Sequence, residues 1–190
     1  MLVLFTPYTR WNKGGTTATI NWINTIVASY NQKLAEVGLN SYSLSLKAAK
    51  ETSWPTFSTP YHENNTHNGA TACFTVSGQP FCDSLIADQF WVSTNTTVAN
   101  LRNQYAADLV VLITANSRKH PSDFAHGFAG LKNDGVFPQT HGTIGTNNDC
   151  YIVAGENGGR DCGEFVSVRD SFALSNLTFH HEVGHALGLR

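Results

Sequence analysis

The sequence predicts an α/β fold, and three observations predict it. Uninterrupted apolar runs at 2–5 ("LVLF") and 109–113 ("LVVLI") have the composition of strands buried on both faces. A long segment of helical periodicity lies between them, and a shorter one leads into the second run. Strand and helix patterns that alternate in this way build a mainly parallel sheet with helices packed on it. A chain of 190 residues can bury its own core, so residues 1–190 are read as one unit.

In chain order, "LVLF" is closed by Pro7 and belongs in the middle of the sheet. Apolar residues then recur three and four apart at Ile20, Ile23, Val27, Tyr30, Leu34 and Val37, with Thr16 or Thr17 placed to cap the helix start and Gly38 to end it. "SYSLSLKA" (41–48) alternates Tyr42, Leu44, Leu46 and Ala48 against polar neighbours, which predicts a strand with one wet face and a right-handed crossover from the first strand. From about Glu51 to Val92 the pattern gives way to Pro, Asn, Thr and Gly, read as a long insertion. A second helix is predicted near 96–106, with Val98, Leu101 and Tyr105 on one face, feeding the central strand at 109–113. "AHGFAGL" (125–131) and "EFVSVRD" (164–170) read as two further strands.

A net charge of −2 and a pI near 6.4 leave no basic footprint for nucleic acid, and "SRKH" (117–120) reads as a solvated loop. No apolar run approaches the roughly 20 residues of a membrane span. Cys73 and Cys82, and Cys150 and Cys162, form two local pairs without C-x-x-C spacing. Two short-loop disulfides are the simplest of the three connectivities, and they place the protein outside the reducing cytoplasm, secreted or otherwise extracytoplasmic. The surface agrees, being rich in Ser, Thr, Asn and Gly and poor in charge. "MLVLFTPYTR" lacks the apolar core and cleavage region of a signal peptide, so export information is expected to have been removed, or the chain to be an internal domain.

The chemistry concentrates in "NLTFHHEVGHALGLR" (176–190). Ser175 or Asn176 can cap a helix from Leu177, and Gly188 can end it. With His181 at zero and about 100° per residue, His185 falls at about 40° and Glu182 at about 100°, while Phe179, Val183, Ala186 and Leu187 fall between about 140° and 240°. One face is therefore built to pack and the other offers two imidazoles and a carboxylate. The i, i+4 spacing brings both rings to one zinc at roughly 2.0–2.1 Å, and the glutamate can reach a water there without ligating the ion. His180, at about 260°, points away and is read as a packing or surface residue. His62, His67, His120, His126 and His141 have no recognisable ligand spacing.

His181 to Gly188, "HEVGHALG", is similar to the front of the metzincin signature H-E-x-x-H-x-x-G-x-x-H/D. Together with "LVLFTPYTR", "SYNQKLAEVGLN", "LRNQYAADLVVLITAN" and "EFVSVRDSFALSNLTF", in that order, the chain resembles the bacterial reprolysin-like (adamalysin-type) metallopeptidases, including peptidyl-Asp metalloendopeptidases. "HALGL" is similar to matrixins and serralysins as well. The resemblance implies a zincin/metzincin-like N-terminal subdomain: a twisted mixed sheet with one antiparallel edge strand along the cleft, two backing helices and a C-terminal active-site helix. It implies a Zn2+-dependent endopeptidase with His181 and His185 as ligands and Glu182 activating a zinc-bound water. A protein or peptide substrate would lie as an added strand along Gly127, Phe128, Ala129, Gly130 and Leu131. It puts a third ligand at position 191 and a Met-turn beyond. Since the chain ends at Arg190 and its one methionine is Met1, a catalytic domain truncated after the zinc helix is expected. The alternative reading is a zincin-fold fragment or binding module without catalysis, and a blander third is a secreted α/β binding domain carrying the motif by accident.

Overall fold

The two uninterrupted apolar runs form interior strands of one five-stranded sheet. In the computed structural model, residues 1–52, 73–76, 79–82, 88, 92, 95–115, 127–129, 151–152, 160–161, 165–175 and 177–187 are described. The strands are β1 (Leu2–Phe5), β2 (Ala48–Glu51), β3 (Cys73–Val76), β4 (Gln79–Cys82), β5 (Val110–Thr114), β6 (Gly127–Ala129), β7 (Tyr151–Ile152), β8 (Arg160–Asp161) and β9 (Phe165–Arg169). The helices are α1 (Pro7–Asn12), α2 (Thr16–Glu36), α3 (Thr96–Gln104) and α4 (Thr178–Ala186). The main sheet has the order β2-β1-β5-β9-β6, and β3–β4 and β7–β8 are separate antiparallel ladders. Four of the five strands run parallel, while β6 is antiparallel to β9 and forms one edge. This is the mixed sheet with an antiparallel edge strand that the family resemblance implies.

Successive side chains of a strand face opposite sides of the sheet. Val3, Phe5, Val111, Ile113, Val166 and Val168 pack with α2 and α4, whereas Leu2, Leu4, Val110, Leu112 and Phe165 pack with Val98 of α3. Every residue of β1 is 0% exposed, which is why the run shows no polar alternation. On α2 the buried stripe is Ile23, Ile26, Val27, Tyr30 and Leu34. Val37, predicted for that stripe, is 69% exposed because the helix has ended at Glu36 and the chain is already turning.

Two details of α2 depart from expectation. Its N-cap is Gly15 at φ 116°, with no side-chain cap, so neither Thr16 nor Thr17 performs that role. Gly14 and Gly15 both hold positive φ, and the sharp turn they make from α1 places Thr16 inside the first helical turn. Gly38, at φ +82°, does end the helix as read. Helix α1 was not foreseen, although Thr6 caps it by accepting from the Thr9 N–H at 3.3 Å and Pro7 occupies its first turn.

The strand expected over 41–48 is corrected to β2, which begins at Ala48. The ladder runs from Leu2 opposite Ala48, just after the Lys47 N–H donates to the Met1 carbonyl at 2.8 Å. The preceding segment is tied differently: the Met1 ammonium donates to the Ser45 carbonyl at 2.8 Å, and Asn31 of α2 bonds both the N–H and the carbonyl of Leu44. Leu44 and Leu46 still pack on the core, but Tyr42 is 67% exposed. Helix α3 follows its prediction closely, capped by Asn95 and burying Val98 with Leu101 and Tyr105 beside it.

Candidate active site

Strand β9 delivers the chain to α4 through a short, well-anchored turn. Arg169, fully buried at the end of β9, donates from Nη1 to Thr114 Oγ1 at 3.3 Å and stands 3.9 Å from the carboxylate of Asp88, also buried. The Asp170 N–H donates to the Thr114 carbonyl at 2.8 Å, and Asn12 Nδ2 donates to Asp170 Oδ2 at 3.0 Å. Backbone N–H groups of Phe172 and Ala173 then return to the Arg169 carbonyl, and the Phe179 N–H to the Ala173 carbonyl at 3.3 Å. The turn closes at Leu177, which sits in the left-handed region at φ 55° and caps α4 without a side-chain bond. The expected cap from Ser175 is corrected: its hydroxyl donates to the Ser171 carbonyl at 2.9 Å and stabilises the turn instead. Asn176 and Gly188 lie outside the described residues.

Helix α4 then divides its faces much as helical arithmetic predicts. Phe179, Val183 and Ala186 are 1%, 0% and 6% exposed and join the core, with Phe179 edge-on to Tyr30 at 6.2 Å between centroids. Leu187, expected with them, is 42% exposed; α4 ends at Ala186 and Leu187 is its C-cap residue. His180 packs beside Tyr30 at 5.5 Å between ring centroids, away from the other two histidines. Burial holds its pKa below the ordinary 6.5.

The remaining side chains converge. His181 is exposed and His185 half-exposed, their rings are edge-to-face at 4.3 Å, and the two Nε2 atoms stand 3.0 Å apart. Two nitrogens on one tetrahedral zinc at roughly 2.0–2.1 Å are separated by about 3.3 Å, so the pair needs only a few tenths of an ångström to receive the ion. The residues present thus fit such a metal from one side. Among the described residues, no group of three or more His, Cys, Asp or Glu side chains gathers as a complete site. His62, His67, His120, His126 and His141 lie outside the described residues.

Glu182 differs from His181 and His185 in being buried, at 8% exposure, between α4 and the edge strand β6. Burial pushes its pKa from 4.5 up to about 7, and a hydrogen bond from the Ala129 backbone N–H opposes that shift. Gly127, Phe128 and Ala129 form β6, paired to Val168, Ser167 and Val166; Gly130 and Leu131 lie outside the described residues. Sequence reasoning missed Thr178, whose Cγ2 faces Gly127 alongside the Glu182 side chain. The available signal was its position one turn before Glu182, on the same helical face.

The raised pKa of Glu182 has a consequence for the metal-free protein. An acid whose folded pKa lies above its unfolded value favours folding fully below pH 4.5, and that contribution is lost as pH rises through about 7. Glu182→Gln, neutral throughout, is expected to be more stable than the parent above pH 7 by an amount on the order of 2–3 kcal/mol relative to their difference near pH 4. Thermal unfolding of both proteins with chelator across pH 4–8 checks this; a constant difference would mean that the carboxyl is not destabilised by burial.

The profile of the metallo-peptidase family M12B, reprolysin-like, matches residues 18–190. No curated protein matches the chain. Among 13 matching chains of solved structures, one from a structure described as a chaperone-substrate complex superposes with a TM-score of 0.59 at 18% identity. The match covers 98% of this chain and 22% of that one, so this chain spans about a fifth of that protein's length, and the likeness is one of fold.

Proposed function

The chain belongs to the reprolysin-like metallopeptidases of family M12B, and on that premise we propose that it is a zinc-dependent endopeptidase using His181 and His185 as metal ligands and Glu182 as general base. The observation that carries the reading is the His181–His185 pair, with Nε2 atoms 3.0 Å apart, beside a buried carboxylate. Zinc held there supplies a Lewis acid that polarises a peptide carbonyl and acidifies a nearby water. Glu182 takes the proton of the attacking water and returns it to the departing amine. Its burial suits that task, because desolvation strengthens the carboxylate's hold on a proton relative to an exposed one. β6 is the edge strand of the sheet, with β9 on its inner side, which suits a peptide aligning there as an added strand.

Metal analysis tests the ligand assignment. His181→Ala and His185→Ala should each lower zinc affinity by more than the ten- to hundredfold, roughly, that loss of a supporting second-layer partner costs, and zinc that survives mild chelation in the parent would mean that a third ligand within the chain joins the pair. Negligible zinc in the parent would favour the alternative, a catalytically incomplete zincin-fold fragment or binding module lacking the third zinc ligand. That alternative is kept because, among the described residues, no third ligating side chain joins the pair.

We also place the protein outside the reducing cytoplasm, with protein or peptide as its substrate. Register supports a Cys73–Cys82 disulfide, since the antiparallel β3–β4 ladder sets these two residues opposite each other. Cys150 and Cys162 lie outside the described residues; each is one position beyond the ladder in which Tyr151 pairs with Asp161. Thiol titration of the denatured, unreduced protein should find no free thiol, and four would remove the compartment argument. No described helix is long and apolar enough to cross a membrane.

A further inference from the structure

We propose that Gly127 is a positioning residue for Glu182: the bare Cα of the edge strand sets where the carboxylate stands, and any side chain there displaces it. The inference rests on the reading of Glu182 as general base. Nothing in the backbone demands a glycine at this place, for Gly127 is not among the residues of positive φ. What demands it is space. A Cβ on Gly127 would lie 2.5 Å from Glu182 Cγ, 2.7 Å from Thr178 Cγ2 and 2.9 Å from Glu182 Oε1, closer than such atoms are found in folded proteins.

Something must yield, and the packing decides what. Strand β6 is held by its ladder to β9, with Gly127 opposite Val168. Helix α4 is held from below by Phe179, Val183 and Ala186 in the core. Neither backbone can retreat cheaply from a close-packed interior. Two of the three encroached atoms belong to Glu182, whose side chain can rotate, so the added methyl is relieved by turning the carboxylate away.

The same strand also grips the carboxylate two residues on, where the Ala129 N–H donates to it. Gly127 is the floor on which the glutamate rests and Ala129 the donor that fixes its far end. Because β6 is also the strand proposed to align substrate, one short element sets both the base and the register of the bond to be cut. A displacement of about 1 Å in a reacting group can cost on the order of 100-fold in rate.

The test uses the 190-residue chain and reads more than activity. In metal-free, 15N-alanine-labelled protein, Gly127→Ala is expected to move the Ala129 amide resonance towards its position in Glu182→Ala, where nothing accepts its bond. Zinc affinity should stay within about threefold and KM within about twofold, while kcat falls by about 100-fold. Adding Thr178→Ser removes the encroached threonine methyl and should restore neither the resonance nor kcat. An unmoved Ala129 amide with undiminished kcat would overturn the proposal, and so would recovery with Thr178→Ser, which would make the glycine a matter of packing at the helix start. Should Gly127→Ala fail to fold, the double variant with Glu182→Ala is expected to fold with an unfolding midpoint close to that of Glu182→Ala alone; failure there too would overturn the proposal. Wild-type turnover by Glu182→Gln would sink the base assignment, and the amide shift separates that failure from absence of the Gly127 contact.

Discussion

Glu182→Gln is expected to lower peptide hydrolysis by on the order of 10²–10⁴-fold, the usual contribution of a positioned general base, while zinc content stays at the parental level. The substitution keeps the size and the hydrogen-bonding oxygen that Ala129 contacts but removes the capacity to accept a proton at neutral pH. Fold should be intact, because a neutral amide is easier to bury than an ionised carboxylate at a site 8% exposed. The measurement is kcat on a quenched peptide alongside metal analysis of the same preparation. Parental turnover in a zinc-loaded variant would remove Glu182 from the reaction; loss of zinc together with activity would mean that the carboxylate acts as a ligand.

Phe179→Ala should destabilise the fold by about 3–5 kcal/mol, the usual cost of emptying an aromatic site in a core. Phe179 is 1% exposed, meets Tyr30 of α2 edge-on, and its own N–H closes the turn from Ala173. Its ring is thus, with His180, a contact through which the helix bearing His181 and His185 leans on the long helix. Leu187→Ala is the matched comparison. Helical arithmetic sets Leu187 on the same face, yet at 42% exposure its truncation should change stability by less than about 0.5 kcal/mol. Chemical denaturation of the two variants distinguishes them, and equal losses would show that α4 continues past Ala186.

The contrast between Phe179 and Leu187 shows where periodicity stops being informative. A 100° step gives the direction of a side chain for as long as the helix lasts, and the sequence does not say where it ends. Val37 on α2 failed for the same reason. The strand expected over 41–48 failed differently: alternation there is real, but the regular ladder runs from Leu2 opposite Ala48, and the segment before it is held by Met1 and by the Asn31 side chain instead. The caps expected from Thr16, Thr17 and Ser175 failed because nearby polar side chains and glycines offered a competing turn.

The sequence by itself determined the α/β class, the interior strands and the spacing of His181, Glu182 and His185, because each depends on local periodicity and on an apolar content that only burial on both faces explains. Tertiary structure decided the environment of those groups. It alone set the two imidazoles in the open and Glu182 under cover, and it alone brought Gly127, 55 positions earlier in the chain, against the carboxylate. Helical spacing fixes which side chains share a face; the proton affinity and the precise stance of one of them depend on what the opposing strand leaves room for, and that strand is distant in sequence.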